Sequence, residues 1–352
     1  MVANDGGGAL RMTRPRLETL EEREAHPPAG ERPRDRGVAA IAWAPSESRP
    51  RALVSALGGE ARAFFDFRLV WRPLVPLRYA ISAGRTLAYL ARRRPKAVIA
   101  QAPPVPAALL AWVYGRLSGA PVVIDSHPAA FAMETARVDK LMLPLLRWLA
   151  RRSAGLIVTT PELARRVDAW GGRPLIVHEP PIAVAPAPAP DGVLFVSTFA
   201  PDEPLEAVLE AARALPDVHF RVTGDVRRKP LGLRAPDNVE WVGYLRGESY
   251  WRTLARSAVI LSLTKRRQAV LRSAYEAVYA LRPLIVSGWP HMEELFPYAT
   301  HVTNDAQSIA AGVRRALASG ADSSALDSAR ELQLARWRDQ LTALRTAIGE
   351  RP

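Results

Sequence analysis

The segment SAYEAVYALRPLIVSGWP, Ser273 to Pro290, sets one carboxylate, Glu276, among alanines and aromatics, with Ala280 rather than a basic residue four positions on. An ionised carboxylate only accepts hydrogen bonds and can take two hydroxyl donors at once. Just upstream, Lys265, Arg266 and Arg267 precede Gln268 and a helical pattern that begins near Ala269. The uncapped N–H groups and macrodipole of a helix N-terminus favour anions, so three cations beside one suit a bound anion. A solvated basic loop is the bland alternative for each of these side chains. In VVIDSH, Asp125 and His127 follow a β-branched run. Neutral imidazole at such a strand end can position a hydroxyl or take its proton, while Asp125 reads as an orienting or loop-fixing residue.

The elements that must position these residues follow an α/β pattern. Short β-branched runs alternate with helical periodicity in both halves, as in parallel sheets. In the first half the strand candidates are residues 38–43, 97–101, 122–125, 156–160 and 175–178; in the second they are 193–198, 218–224, 239–244, 259–264 and 284–288. Residues 181–191 alternate Pro and Ala, a composition suited to a stiff linker. The expected architecture is two doubly wound Rossmann-like domains, 37–180 and 192–323, facing across a cleft. A C-terminal helix, 324–352, is expected to pack back towards the first domain. Ligands of such sheets bind beyond the carboxyl ends of the strands.

Composition narrows the functions. The 352 residues suffice for two cores, and the absence of cysteine removes disulfides, thiolate nucleophiles and cysteine metal sites. The six scattered histidines form no ligand cluster, and neither an Asp-x-Asp, a Walker-type phosphate loop nor a G-x-G-x-x-G after the first strand is present. A kinase and a nicotinamide enzyme are thereby disfavoured, and neither metal nor cofactor is expected. Residues 1–36 are charged and rich in Gly and Pro, which reads as a disordered extension without a signal-peptide core. The net charge of +13 is uneven: residues 37–180 hold 20 Arg and Lys against 9 Asp and Glu, whereas 191–330 hold 17 against 16. A cationic first half points to an anionic partner. Trp71, Leu74, Leu77, Tyr79, Leu141, Leu145 and Trp148 alternate with arginines, as on helices lying in a bilayer interface, or else pack inside the first domain.

The second half resembles the donor domain of GT-B glycosyltransferases, especially those of family 4, through VLFVSTFAPDEPLEAVLEAARALPDVHFRVTGD, NVEWVGYL and QAVLRSAYEAVYALRPLIVSGWP. The first half is similar to the matching acceptor domain through AWAPSESRPRALVSALGGE, RPKAVIAQAPPVPAALLAWVYGRLSGAPVVIDSH and SAGLIVTTPELARRV. The likeness covers roughly residues 37–345, in order. It implies transfer of a sugar from a nucleoside diphosphate sugar to a glycan or lipid-linked hydroxyl, metal-independent and with retention. In the family pattern of Glu, seven residues, Glu, the second carboxylate holds the ribose; Glu276 matches it, and Gln268 stands at the first. Family cations after the first donor strand are missing, Asp202 and Glu203 standing there, so Lys265, Arg266 and Arg267 would meet the diphosphate, with Arg227 or Arg228 in reserve. Thr198 and Asp202 would face the cleft, and Tyr244 would lie by the base. His127 would line the reacting centre, and Ser46, Arg49 and Arg51 would form the acceptor-side loop. The expected setting is cytoplasmic, peripheral at the inner face of an anionic cell membrane. An inactive glycosyltransferase-like scaffold at a membrane is the alternative; a nucleic-acid binder lacks aromatic–basic reading motifs.

Overall fold

Val98-Ile99-Ala100 and Val122-Val123-Ile124 are apolar at every position, so the strands they form must be covered on both faces. In a computed structural model, residues 37–350 are described, apart from 45–47, 67–71, 132–138, 186, 188, 231 and 321. The expected N-terminal extension, and with it Ser46 and Trp71, lies outside the described residues.

The first sheet comprises β1 Val38–Ala42, β2 Glu60–Ala63, β3 Ala97–Ala102, β4 Val122–Ser126, β5 Gly155–Val158 and β6 Pro174–Ile176. It is wholly parallel, in the order β2-β1-β3-β4-β5-β6. Its helices are α1 Ser48–Ser55, α2 Val75–Arg93, α3 Val105–Ser118, α4 Asp139–Ala150 and α5 Pro161–Ala169. Alternate strand residues feed two cores: Ile41, Val98 and Ile124 meet Leu90 of α2, Ala111 of α3 and Leu146 of α4. On the opposite face Ala40, Ile99 and Val123 meet Leu53 and Val54 of α1.

The second sheet comprises β7 Asp191–Phe195, β8 Phe220–Thr223, β9 Val239–Gly243, β10 Ser257–Ser262, β11 Leu284–Ser287 and β12 Thr300–Val302. It too is parallel, in the order β12-β11-β10-β7-β8-β9. Helices α6 Leu205–Arg213 and α10 Ala306–Ser319 cover one face. The other carries α7 Gly247–Arg256, α8 Arg272–Tyr279 and α9 Pro290–Leu295. Both sheets belong to one compact unit. The last helix, α11 Ser323–Ala347, spans them: Ala329 packs in the second lobe, while Trp337, Leu344 and Ala347 pack beneath the first sheet.

Differences from the sequence reading have local causes. Strands β2 and β12 escape it because both are short edges whose side chains are mostly half-exposed, without a sustained apolar run. Strand β7 stops at Phe195 rather than at residue 198. There the ladder is intercepted by side chains: Ser197 N donates to Thr223 Oγ1, and Thr198 N donates to Glu203. Of the two readings open for the aromatics set among arginines, packing inside the first domain holds for two. Tyr79 lies 5.6 Å from the Trp43 ring, and Trp148 lies 4.7 Å from Trp112. Leu145 is half-buried against the same core, and the Leu141 side chain lies outside the described residues.

Candidate active site at the facing strand ends

Strand order reverses between β7 and β10, which makes the loops after these two strands the natural ligand-facing segments of the second lobe. The loop after β7 is organised around a carboxylate. Glu203 accepts from Thr198 N at 3.0 Å, Ala200 N at 3.2 Å, Thr198 Oγ1 at 2.9 Å and Ser197 Oγ at 2.5 Å. The neighbouring Gly224, at φ 136°, lets the loop after β8 approach; an added Cβ would lie 2.6 Å from the Phe199 ring. Asp202 ties this loop to the one after β10, accepting from Thr264 Oγ1 at 2.8 Å and pairing with Arg266 at 3.1 Å. The acids standing at the family's cation positions therefore brace the site's backbone, and Asp202 tethers one of its cations.

In the loop after β10, Lys265 is exposed, and its ammonium has no partner among the described residues. Arg267 lies over the Trp289 ring at 5.8 Å, and the Trp289 indole donates to Thr264 O at 3.0 Å. Helix α8 begins at Arg272, three residues later than expected, because Ala269 N closes a separate turn on Arg266 O. Its N-cap, Leu271, is extended and offers no side-chain cap; Ala274 N donates to Leu271 O at 3.1 Å, and the amides of Arg272 and Ser273 receive no cap from that side chain. Arg227, the reserve cation, is paired instead with Asp225 at 2.8 Å.

Glu276 lies on α8, 6% exposed. It does have a basic partner on its own helix, four residues before rather than after: Arg272 Nε lies 2.7 Å from Oε1. The Tyr250 hydroxyl, from α7, donates to Oε2. Burial pushes the Glu276 carboxyl above its ordinary value, against the opposing pull of Arg272 and Tyr250. Burial and the Glu276 charge together push the Tyr250 phenol up. A carboxylate has about four lone-pair positions, so Arg272 and Tyr250 leave acceptor capacity on Glu276. Tyr244 follows β9 and is exposed, with the Arg246 guanidinium 5.0 Å from its ring centre.

At the first lobe's strand ends, β4 carries Asp125 into a buried charge cluster. Arg49 Nε lies 3.2 Å from Asp125, its NH1 2.6 Å from Glu179, and its NH2 donates to Val177 O at 2.9 Å. Burial alone would weaken the guanidinium's hold on its proton; the Asp125 and Glu179 charges outweigh it and raise the pKa. Arg49, expected in an acceptor-side loop, thus sits on α1 and braces the strand ends. Arg51 is exposed on the same helix. His127 Nε2 lies 2.7 Å from the Gln101 amide, from the end of β3. The amide's O and N are interchangeable in shape; with Oε1 turned to the ring, it would accept the imidazole N–H and fix the tautomer.

The two edges meet. Gln268 Nε2, from the second lobe, donates to Glu162 Oε1 at the start of α5, at 2.8 Å. Tyr279 Oη donates to Glu179 O at 3.3 Å. Sequence reasoning passed over Glu162, Glu179, Tyr250 and Arg272. Only Arg272 left a readable sign, its i,i−4 spacing from Glu276; the others reach the site from distant segments.

Two doubly wound parallel sheets joined by polar contacts at their edges, with a cation-bearing loop at a topological switch point, are the architecture of a GT-B protein. Family models agree along the chain: residues 25–181 match a glycosyl transferase 4-like domain, and residues 203–343 match a glycosyl transferase-like domain. The chain belongs to the GT-B glycosyltransferases of the family 4-like type and is a glycosyltransferase. Solved structures share the fold. Sucrose-phosphate synthase from Thermosynechococcus elongatus aligns with a TM-score of 0.63 at 14% identity, over 88% of this chain and 100% of that one. Anabaena HepE in complex with UDP-glucose aligns at 0.65 and 12% identity, over 88% and 98%. A glycosyltransferase from Rickettsia africae aligns at 0.61 and 12%, over 90% and 100%. No curated protein matches the sequence.

Proposed function

We propose that this glycosyltransferase moves a sugar from a nucleoside diphosphate sugar to a hydroxyl of a glycan or lipid-linked acceptor, without a metal ion and with retention at the anomeric carbon. The observation that supports the donor site is the placement of Lys265, Arg266 and Arg267 in the loop after β10, at the β7–β10 switch point and shortly before the start of α8, which has no side-chain cap. That edge is joined to the first lobe through Gln268 and Glu162. Cations and oriented N–H groups there would stabilise charge developing on the departing diphosphate, the task a metal ion performs elsewhere. Glu276 would accept from the ribose hydroxyls, and Tyr244 would lie against the base. His127 would position the transferred sugar beside Asp125, whose ion pair with Arg49 keeps the strand end fixed. Retention follows if the acceptor attacks the face that the diphosphate leaves, with a leaving phosphate oxygen taking the proton.

HepE's complex with UDP-glucose makes that compound a sensible first donor. Calorimetry against UDP-glucose, UDP-N-acetylglucosamine, GDP-mannose and their nucleoside diphosphates tests the reading. Micromolar binding of one pair, unchanged by a chelator, is expected; binding to none would contradict it.

A membrane-bound acceptor fits the first lobe's surface. No acidic residue occurs from Phe67 to Ile124. Within that stretch Leu77, Ile81 and Leu87 of α2 and Val113 and Leu117 of α3 are exposed, Leu117 at 85%. Arg78, Arg85, Arg92 and Arg116 lie on the same two helices. Each arginine near an anionic surface contributes about 1 kcal/mol. R85E/R92E should therefore reduce sedimentation with phosphatidylserine vesicles at least about tenfold; unchanged sedimentation would remove the membrane from the account. Among the described residues no helix is long and apolar enough to cross a membrane.

A further inference from the structure

Glu162 is the second residue of α5, whose N-cap Thr160 accepts from Leu163 N. An ionised carboxylate can only accept hydrogen bonds. It therefore selects the NH2 side of Gln268 and removes the ambiguity a glutamine otherwise has between its two orientations. Gln268 Oε1 is left without a partner among the described residues. The backbone next to Gln268 is held as well, His291 Nε2 lying 3.3 Å from Ala269 O. A glutamate at position 268 would instead set like charges at hydrogen-bonding distance across the lobes.

We propose that Glu162 is a positioning residue that reaches across the gap to fix the Gln268 amide, so that Oε1 is presented as an acceptor to the donor's sugar hydroxyls only when the lobes are together. The role rests on the donor site described above. It makes the identity of residue 268 depend on residue 162 in the opposite lobe: amide and carboxylate can exchange places, but two carboxylates cannot coexist.

The test is a charge-exchange cycle in the full chain, E162A, E162D, Q268E and E162Q/Q268E, read with whichever member of the nucleotide-sugar panel the wild type uses. E162A should raise the donor KM about tenfold with kcat changed less than about threefold, and E162D should recover part of the loss. By calorimetry E162A should weaken nucleotide-sugar binding about tenfold yet leave binding of the bare nucleoside diphosphate unchanged, a split that a loss of folding would not produce. Q268E should lower kcat/KM about thirtyfold, and E162Q/Q268E should return it to within about threefold of wild type. An active wild type with an unimpaired E162A, or with a double variant no better than Q268E, overturns the positioning role alone. A wild type that binds no member of the panel overturns the donor site and this role together.

Discussion

Replacing Glu276 by glutamine is expected to disable the donor site while leaving the fold at least as stable as it was. The glutamine keeps the volume and an acceptor for Tyr250 but loses the charge that two ribose hydroxyls would meet. Hydrogen bonds to a charged group contribute about 1.5–3 kcal/mol each, so a fall in kcat/KM of about 100-fold or more is expected. Stability moves the other way. The fold holds this carboxyl above its ordinary value of 4.5, because burial outweighs Arg272 and Tyr250. The native state thus binds the proton more tightly than the unfolded chain does. The associated stabilisation is complete below the unfolded pKa and is lost as pH rises through the folded one. At neutral pH the ionised side chain is therefore a net burden on the fold. E276Q should match or exceed the wild-type Tm at pH 7, and the difference should shrink as pH falls towards 4.5. Donor use unaffected in E276Q, or a Tm several degrees lower, would contradict this account of the residue.

The second large effect concerns the brace at the first lobe's strand ends. Arg49 and Asp125 are both buried, and Arg49 also holds Glu179 and the carbonyl of Val177. Removing one partner of a buried pair leaves a charge without compensation, a loss of about 3–5 kcal/mol. R49M should show a loss of that size in urea unfolding. D125N in the same chain should restore part of it, since the remaining buried charge is then smaller. The cluster joins α1, β4 and the segment leading into the second lobe, so R49M should also impair sugar transfer through the placement of His127, two residues beyond Asp125. A loss below about 1 kcal/mol, or no recovery on adding D125N, would mean the cluster is screened by water and does not brace the edge.

The central strands were legible because burial on both faces writes a continuous apolar run, as in Val122-Val123-Ile124; the edge strands β2 and β12 carry no such mark. Of the candidate site, the strand-end rule pointed to Asp125, His127 and Lys265, Arg266 and Arg267 from sequence alone, and the family pattern pointed to Gln268 and Glu276. The partners of those residues were not legible. Arg49 and Glu179 are 130 positions apart and Gln268 and Glu162 are 106 apart, and no local pattern encodes a pairing made only when parallel strands line up their ends. Asp202 and Glu203 show a different difficulty. Their charge reads from sequence as a defect in a phosphate site, whereas folding sets them against backbone amides, Thr264 and Arg266. The helix start at Arg272 was missed because the preceding turn, 266–269, continues the same apparent periodicity.

The central claim is that a sugar nucleotide lies against the second lobe in the gap between the sheets. A crystal structure of the protein with the nucleoside diphosphate selected by calorimetry addresses it most directly. The ribose hydroxyls should lie within hydrogen-bond distance of Glu276, and the diphosphate should lie against residues 265–267 and the first turn of α8. A nucleotide bound elsewhere on the surface, with Glu276 still closed over by Tyr250 and Arg272, would contradict it.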